Sequence, residues 1–146
     1  MDVKTLDRAD VDMMTALDLK CFPPGVAFSR GLFADCMGNP DCDGQGIVRD
    51  GELVAFSVVY YPGRTSAQIV TIDVHPDYRR QGLADTLMER IEKSAKERGA
   101  VRAVLQVSVE NAPAKELYEK WGYRVKSVLT DYYGPGNDAF LMDKKL

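Results

Sequence analysis

The stretch from Thr65 to Gly99 constrains this chain most, because it joins two different periodicities through one loop. Thr65 to Val74 reads as a strand, whereas Leu83, Leu87, Ile91 and Ala95 recur at every fourth position and mark one face of a helix. Glu89 and Glu92 stand four residues before Lys93 and Lys96, a helix-stabilising spacing, and Gly99 supplies a stop. The loop between them, His75-Pro76-Asp77-Tyr78-Arg79-Arg80-Gln81-Gly82-Leu83-Ala84, therefore opens a helix directly after a strand. Unpaired N–H groups and the positive end of a helix dipole gather at such a turn. Gly82 and Ala84 leave room for an anion to approach, and Arg79 and Arg80 add positive charge. Neither the Walker pattern nor the dinucleotide glycine fingerprint is present. Taken alone, the same residues fit a capped turn with surface arginines.

The rest of the chain supplies a sheet and further helices. Asp2 to Leu6 reads as a short strand, and Asp7 as the cap of a helix from Arg8 to Lys20 that carries Val11, Met14 and Leu17 on one face. Phe22-Pro23-Pro24-Gly25 breaks that helix, and Ser29 caps a second one through Met37, stopped by Gly38. Gln45 to Arg49, Leu53 to Tyr61 and Thr65 to Val74 form an antiparallel meander punctuated by Asp50-Gly51 and Pro62-Gly63. Val101 to Val107 is a strand, Asn111 caps a helix from Ala112 to Lys120, and Tyr123 to Thr130 and Ala139 to Asp143 are closing strands. The pattern predicts one mixed sheet with helices on its faces and a single domain spanning residues 1–146.

Composition narrows the class. With 45% hydrophobic and 28% charged residues, the 146-residue chain has the make-up of a globular domain with one core. A net charge of -3 argues against a nucleic-acid partner, which needs a basic stripe. Cys21, Cys36 and Cys42 are odd in number and lack C-x-x-C spacing, so they read as free thiols, and no metal site is expected. The first residues lack a signal-peptide core and no apolar run suits a membrane span, which predicts a cytoplasmic protein.

The spacing R-x-x-G-x-A of Arg79, Gly82 and Ala84 resembles the pyrophosphate-binding signature of the GNAT superfamily of N-acetyltransferases. From about Phe22 onward the chain is most similar to the branch that acetylates protein N-termini, including ribosomal-protein alanine acetyltransferases. Four segments carry the likeness: Phe22-Pro23-Pro24, Ile72 to Ala84, Asn111 to Tyr123, and Asp131-Tyr132-Tyr133 leading to Asn137 to Met142. The resemblance implies a mixed α/β (α+β) fold. Its central, mostly antiparallel twisted sheet has about six to seven strands, with about four helices on both faces, and is splayed between Thr65–Val74 and Val101–Val107. It implies acetyl-CoA as cosubstrate, with its arm paired to the backbone of Ile72, Asp73 and Val74 like an added strand. The phosphates fall to Arg79, Arg80, Gln81, Gly82, Leu83 and Ala84, and further cofactor contacts to Asn111 and Lys115.

Transfer by direct attack needs a neutral amine and a proton for the departing thiolate. Tyr118 matches the family's general acid, and an ordinary phenol near pKa 10 would make that proton transfer nearly balanced. At the positions where relatives place a base stand Gln68 and Gln106, neither of which can take a proton, though both can orient a water or the amine. Strand alternation places Gln68 on the face of Val70, Ile72 and Val74 and Asp73 on the other; Glu110 and Asp131 lie at strand ends, and His75 lies in a turn. Phe22 and Pro23 are expected on one wall of the acceptor site and Tyr132 and Tyr133 on the other. The expected acceptor is a primary amine, above all a protein N-terminus, with the enzyme a monomer or homodimer. A small-molecule amine acetyltransferase and a degenerate acetyl-CoA-binding sensor remain as alternatives.

Overall fold

The computed structural model describes residues 3–146, so Asp2, expected in the first strand, lies outside the described residues. The described residues form seven strands: β1 (Val3–Thr5), β2 (Cys42–Arg49), β3 (Glu52–Tyr60), β4 (Ser66–Val74), β5 (Arg102–Ser108), β6 (Arg124–Leu129) and β7 (Ala139–Lys145). The four α-helices are α1 (Val11–Cys21), α2 (Arg30–Met37), α3 (Leu83–Glu97) and α4 (Ala112–Lys120). The strands form one sheet in the order β1-β2-β3-β4-β5-β7-β6, antiparallel throughout except for the parallel pair β4 and β5. This is the expected mostly antiparallel sheet.

Local chemistry accounts for the element boundaries. The first helix does not start at Arg8 as an α-helix: Arg8–Asp10 is a 3-10 turn, and α1 follows it. Asp7 accepts from the Ala9 N–H at 2.8 Å while Asp10 reaches back to the Asp7 N–H at 2.9 Å, a reciprocal cap that tightens the turn. Ser29 and Asn111 cap α2 and α4 by accepting from Leu32 N and Ala114 N. At the β2–β3 hairpin both Asp50 and Gly51 take positive φ, 52° and 77°, as the favoured two-residue turn requires.

Helices cover both faces of the sheet. On one, α1 and α2 bury Val11, Met14, Leu17 and Phe33 against Phe56 and Val58 of β3. On the other, Met88, Ile91 and Ala95 of α3 pack with Tyr118 of α4 against Ala67, Ile69, Ala103 and Leu105. Buried Glu92 joins α3 to the far strands, accepting from Tyr123 Oη at 3.1 Å and from Lys144 Nζ at 2.7 Å. A buried carboxylate is tolerated only with such partners.

Two irregularities position everything that follows. Between β3 and β4 the register jumps from Val58↔Thr71 to Val59↔Ile69, leaving Val70 as the extra residue of a β-bulge. Opposed residues share a face, so Thr71 and Asp73 lie with Val58 and Phe56, toward α1 and α2, while Ile72 packs with the α3-side clusters. The expected alternation is therefore corrected. Gln68, opposite Tyr60, falls on the face of Thr71 and Asp73, not on that of Ile72 and Val74, because the bulge shifts the period by one residue. The second irregularity is that β4 and β5 pair only from Ser66↔Arg102 to Ile69↔Leu105; beyond Ile69 they diverge.

Phe33 is fully buried and stacks edge-on with Phe28 at 5.9 Å and Phe56 at 5.6 Å, fastening the α1–α2 corner to the sheet. Phe33→Ala is expected to cost about 3–5 kcal/mol in urea unfolding, read as a lower midpoint with an unchanged slope.

Candidate active site

Where β4 and β5 part, a cleft of about 50 Å³ opens between them. Thr71 and Ile72 line it from β4, Gln106 from β5, Tyr118 from α4 and Tyr133 from the β6–β7 loop, and the segment after α1 closes it through Phe22 and Phe28.

Tyr118 is buried, its ring edge-on to Tyr123 at 6.0 Å, and its hydroxyl makes no hydrogen bond with any described residue. Burial, then the Asp73 carboxyl and Tyr133, hold the phenol well above its ordinary pKa. The expected near balance with a thiol is thus displaced: in the buried cleft, the proton is held more tightly than by a phenol in water. Burial and neighbouring Tyr132 likewise push Tyr133 up to about 12. Tyr133 Oη stands 3.5 Å from the Gln106 carbonyl oxygen, and its ring meets Tyr132 edge-on at 4.9 Å.

The two glutamines meet across the parting strands, with Gln68 Nε2 donating to Gln106 Oε1 at 3.1 Å. Only Gln106 reaches the cleft wall, and Gln68 braces it from behind. Phe22 also reaches the wall, whereas Pro23 forms a turn whose carbonyl accepts from Val26 and Ala27, and Tyr132 is half exposed outside the lining. His75 accepts from Asp77 N at 3.0 Å, which makes it a turn cap.

The phosphate-type loop has the expected shape. Gly82 precedes α3 at φ 78°, no side chain caps the helix, and the space where a Cβ would stand on Gly82 is open. Arg80 is also left-handed, at φ 62°. Arg79 Nε donates to the Val74 carbonyl at 3.2 Å, tying the loop to the strand end, and Gln81 accepts from Arg49 at 2.8 Å. Leu83 points inward with Leu87, and Ala84 begins the first turn of α3. Asn111 lines the cleft while its side chain caps α4, but Lys115 turns to Glu119 at 3.4 Å and to the Phe140 ring. The residues suit acetyl-CoA. Along Val70–Val74, the β4 edge facing β5 lacks a strand partner and can accept an extended arm, and the bare α3 N-terminus beside two arginines can accept phosphates.

Sequence reasoning missed Thr71, Phe28 and Asp18. Thr71 and Phe28 line the cleft, and Asp18 of α1 is buried against Asp73. No pattern in the chain marked them, because their place depends on the bulge and on how α1 packs.

Residues 11–123 match the Acetyltransferase (GNAT) family. The ribosomal protein bS18-alanine N-acetyltransferase of Escherichia coli (strain K12) is 32% identical over 122 residues, spanning 84% of this chain and 81% of that protein. The N-alpha-acetyltransferase of Saccharolobus solfataricus is 44% identical over 79 residues, 53% of this chain and 47% of the relative. The crystal structure of the ribosomal-protein-S18-alanine N-acetyltransferase from Escherichia coli shares the fold, with a TM-score of 0.87 at 24% identity over 99% of this chain and 92% of that one. With an unpaired strand edge and a bare helix N-terminus beside one small cleft, this chain belongs to the GNAT family and is an acetyl-CoA-dependent N-acetyltransferase that transfers an acetyl group to an amine.

Proposed function

We propose that the acceptor is the α-amino group of a protein N-terminus, and that residues 1–146 work as one catalytic unit in the cytoplasm. The observation that carries this reading is the cleft lining: Gln106, braced by Gln68, faces Tyr118, and among the described residues no carboxylate or imidazole lies in the wall itself. An α-amine with pKa near 7.8 is roughly one-tenth neutral at pH 7, whereas a lysine near 10.4 requires about 3.5 kcal/mol more to reach the neutral form. A wall without a strong base suits the former. The names of the E. coli and Saccharolobus relatives point the same way.

Acetyl-CoA supplies a thioester carbonyl that a neutral amine attacks. The backbone of Ile72, Asp73 and Val74 holds the arm as an added strand, and Arg79, Arg80 and the N-terminal N–H groups of α3 hold the phosphates. Gln106 orients the amine, and Tyr118 hands its proton to the departing sulfur, whose own proton affinity also rises in a buried site, and the phenolate is reprotonated by the proton that the attacking nitrogen sheds as the C–S bond breaks. Phe22 and Tyr133 flank the entering N-terminus, with Tyr132 at the rim.

The test is thiol release from acetyl-CoA with peptides bearing free N-termini, beside N-blocked lysine peptides and small amines. Turnover on free N-termini is expected; turnover confined to blocked lysine peptides or to small amines would sink the assignment. Tyr118→Phe is expected to lower kcat by about 10²–10⁴-fold with little change in KM for the peptide. Gly82→Ala adds a methyl group to a left-handed residue at the anion site and is expected to raise the Kd for acetyl-CoA, with a stability loss of about 1–2 kcal/mol in thermal unfolding.

A further inference from the structure

Behind the cleft wall stands a buried acidic pair that the roles above do not use. Asp18 of α1 and Asp73 of β4 are both 0% exposed. Thr71 Oγ1 donates to Asp73 Oδ1 at 2.6 Å, the length typical of a hydroxyl bonded to an ionised carboxylate. Asp18 Oδ2 accepts from Phe28 N at 2.7 Å, and the two carboxyls lie close enough to act on each other. The remaining oxygens, Asp18 Oδ1 and Asp73 Oδ2, have no donor among the described residues. Two buried carboxyls in contact cannot both be charged, so the pair shares one proton and carries one negative charge.

Thr71 connects this pair to the cleft, because it lines the wall beside Gln106 and Tyr118. We propose that Thr71, Asp73 and Asp18 form a proton relay that removes a proton from the acceptor amine. The inference rests on the N-terminal acetylation reading and supplies the base that Gln68 and Gln106 cannot be. In the step, an N–H bond of the acceptor ammonium breaks as its proton passes to Thr71 Oγ1. The Thr71 O–H bond breaks as that proton passes to Asp73 Oδ1, and the electron pair left on nitrogen becomes the nucleophile. The carboxyl pair then holds two protons and no charge, and it returns one to solvent after the product leaves.

The surroundings favour this use. Burial raises both carboxyls above the ordinary range, while the Arg79 guanidinium draws Asp73 back down. The other titratable groups acting on the pair are Cys21 of α1 and Tyr118 of α4; burial pushes the Cys21 thiol up to about 12 and raises the phenol as well, so both are neutral. A lysine ammonium would lie about 2.6 units further uphill, so the relay matches an α-amine.

Thr71→Val removes the hydroxyl and keeps the shape, Thr71→Ser keeps the hydroxyl, and Asp73→Asn keeps the hydrogen bond to Thr71 but cannot take a proton. Steady-state kinetics on a free-N-terminus peptide are compared across pH, with acetyl-CoA affinity measured by calorimetry. In Thr71→Val the acid limb of kcat is expected to rise to the amine's own pKa, with kcat down about tenfold at pH 7, several tens-fold at pH 6 and unchanged near pH 9. KM and acetyl-CoA affinity should hold, Thr71→Ser should restore the native profile, and Asp73→Asn should reproduce the valine variant. The ligand-free native protein should also show the infrared band of a protonated buried carboxyl at neutral pH, lost in Asp73→Asn. If Thr71→Val does not fold, Asp73→Asn carries the same comparison. Identical pH profiles for native and variant enzymes, equal loss in serine and valine variants, or no such band would overturn the relay while native turnover on N-termini still stood. No native turnover on any free N-terminus would overturn the acceptor assignment and the relay together.

Discussion

The parting of β4 from β5 is the constraint on which this molecule depends. A sheet normally satisfies its backbone by pairing each strand on both sides, and β4 does so only as far as Ile69. From Val70 onward its β5-facing edge has no strand partner, at the place where the Val70 bulge bends the chain away. β5 keeps its far side paired with β7 along its whole length, so the sheet stays continuous while a slot opens within it. The slot exposes backbone suited to an extended ligand, admits side chains from both faces, and ends at the N-terminus of α3, where Gly82 leaves the helix uncapped. Strand edge, cleft and uncapped helix end follow one another along a single strand, loop and helix.

Burial gives the slot its chemistry. Tyr118 and Tyr133 line a space of low polarity, and this holds their protons tightly. The same dryness would be ruinous for polar groups without partners. The described structure answers part of that demand with short, specific bonds, Gln68 to Gln106, Thr71 to Asp73, and the Phe28 N–H to Asp18, and leaves Asp18 Oδ1 and Asp73 Oδ2 without a donor. The last of these also draws the Phe22–Phe28 segment over the cleft, and the stack of Phe28, Phe33 and Phe56 backs it with apolar contact. One set of residues thus packs the α1–α2 corner and closes the site. The carboxyl pair between α1 and β4 carries raised pKa values, so its contribution to stability is fully present in acid and fades as pH rises through the folded-state values.

Much of the architecture was legible in the chain because it rests on local rules. The period-four apolar stripe of α3, the Asp50-Gly51 hairpin, the Ser29 and Asn111 caps and the strand-to-helix loop each follow from interactions among near neighbours in sequence. Tyr118, Gln106, Phe22 and Tyr133, proposed from family resemblance, come together at one cleft although they lie far apart in sequence. Pro23, Tyr132 and Lys115 do not reach its lining, since a turn, solvent exposure and an ion pair to Glu119 claim them.

Sequence alone determined the elements, their order and the anion-type loop, because helix periodicity, capping and turn conformation are decided within a few residues. Tertiary structure alone decided which way β4 faces. A single unpaired residue, Val70, reverses the alternation read from the strand and turns Asp73 toward Gln68 and α1. It also brought Asp18 against Asp73, across 55 residues of chain, and gave both carboxyls the dry surroundings that raise their proton affinity. Register and burial belong to the packed sheet, where each strand's position depends on its partners, so no run of residues read by itself contains them.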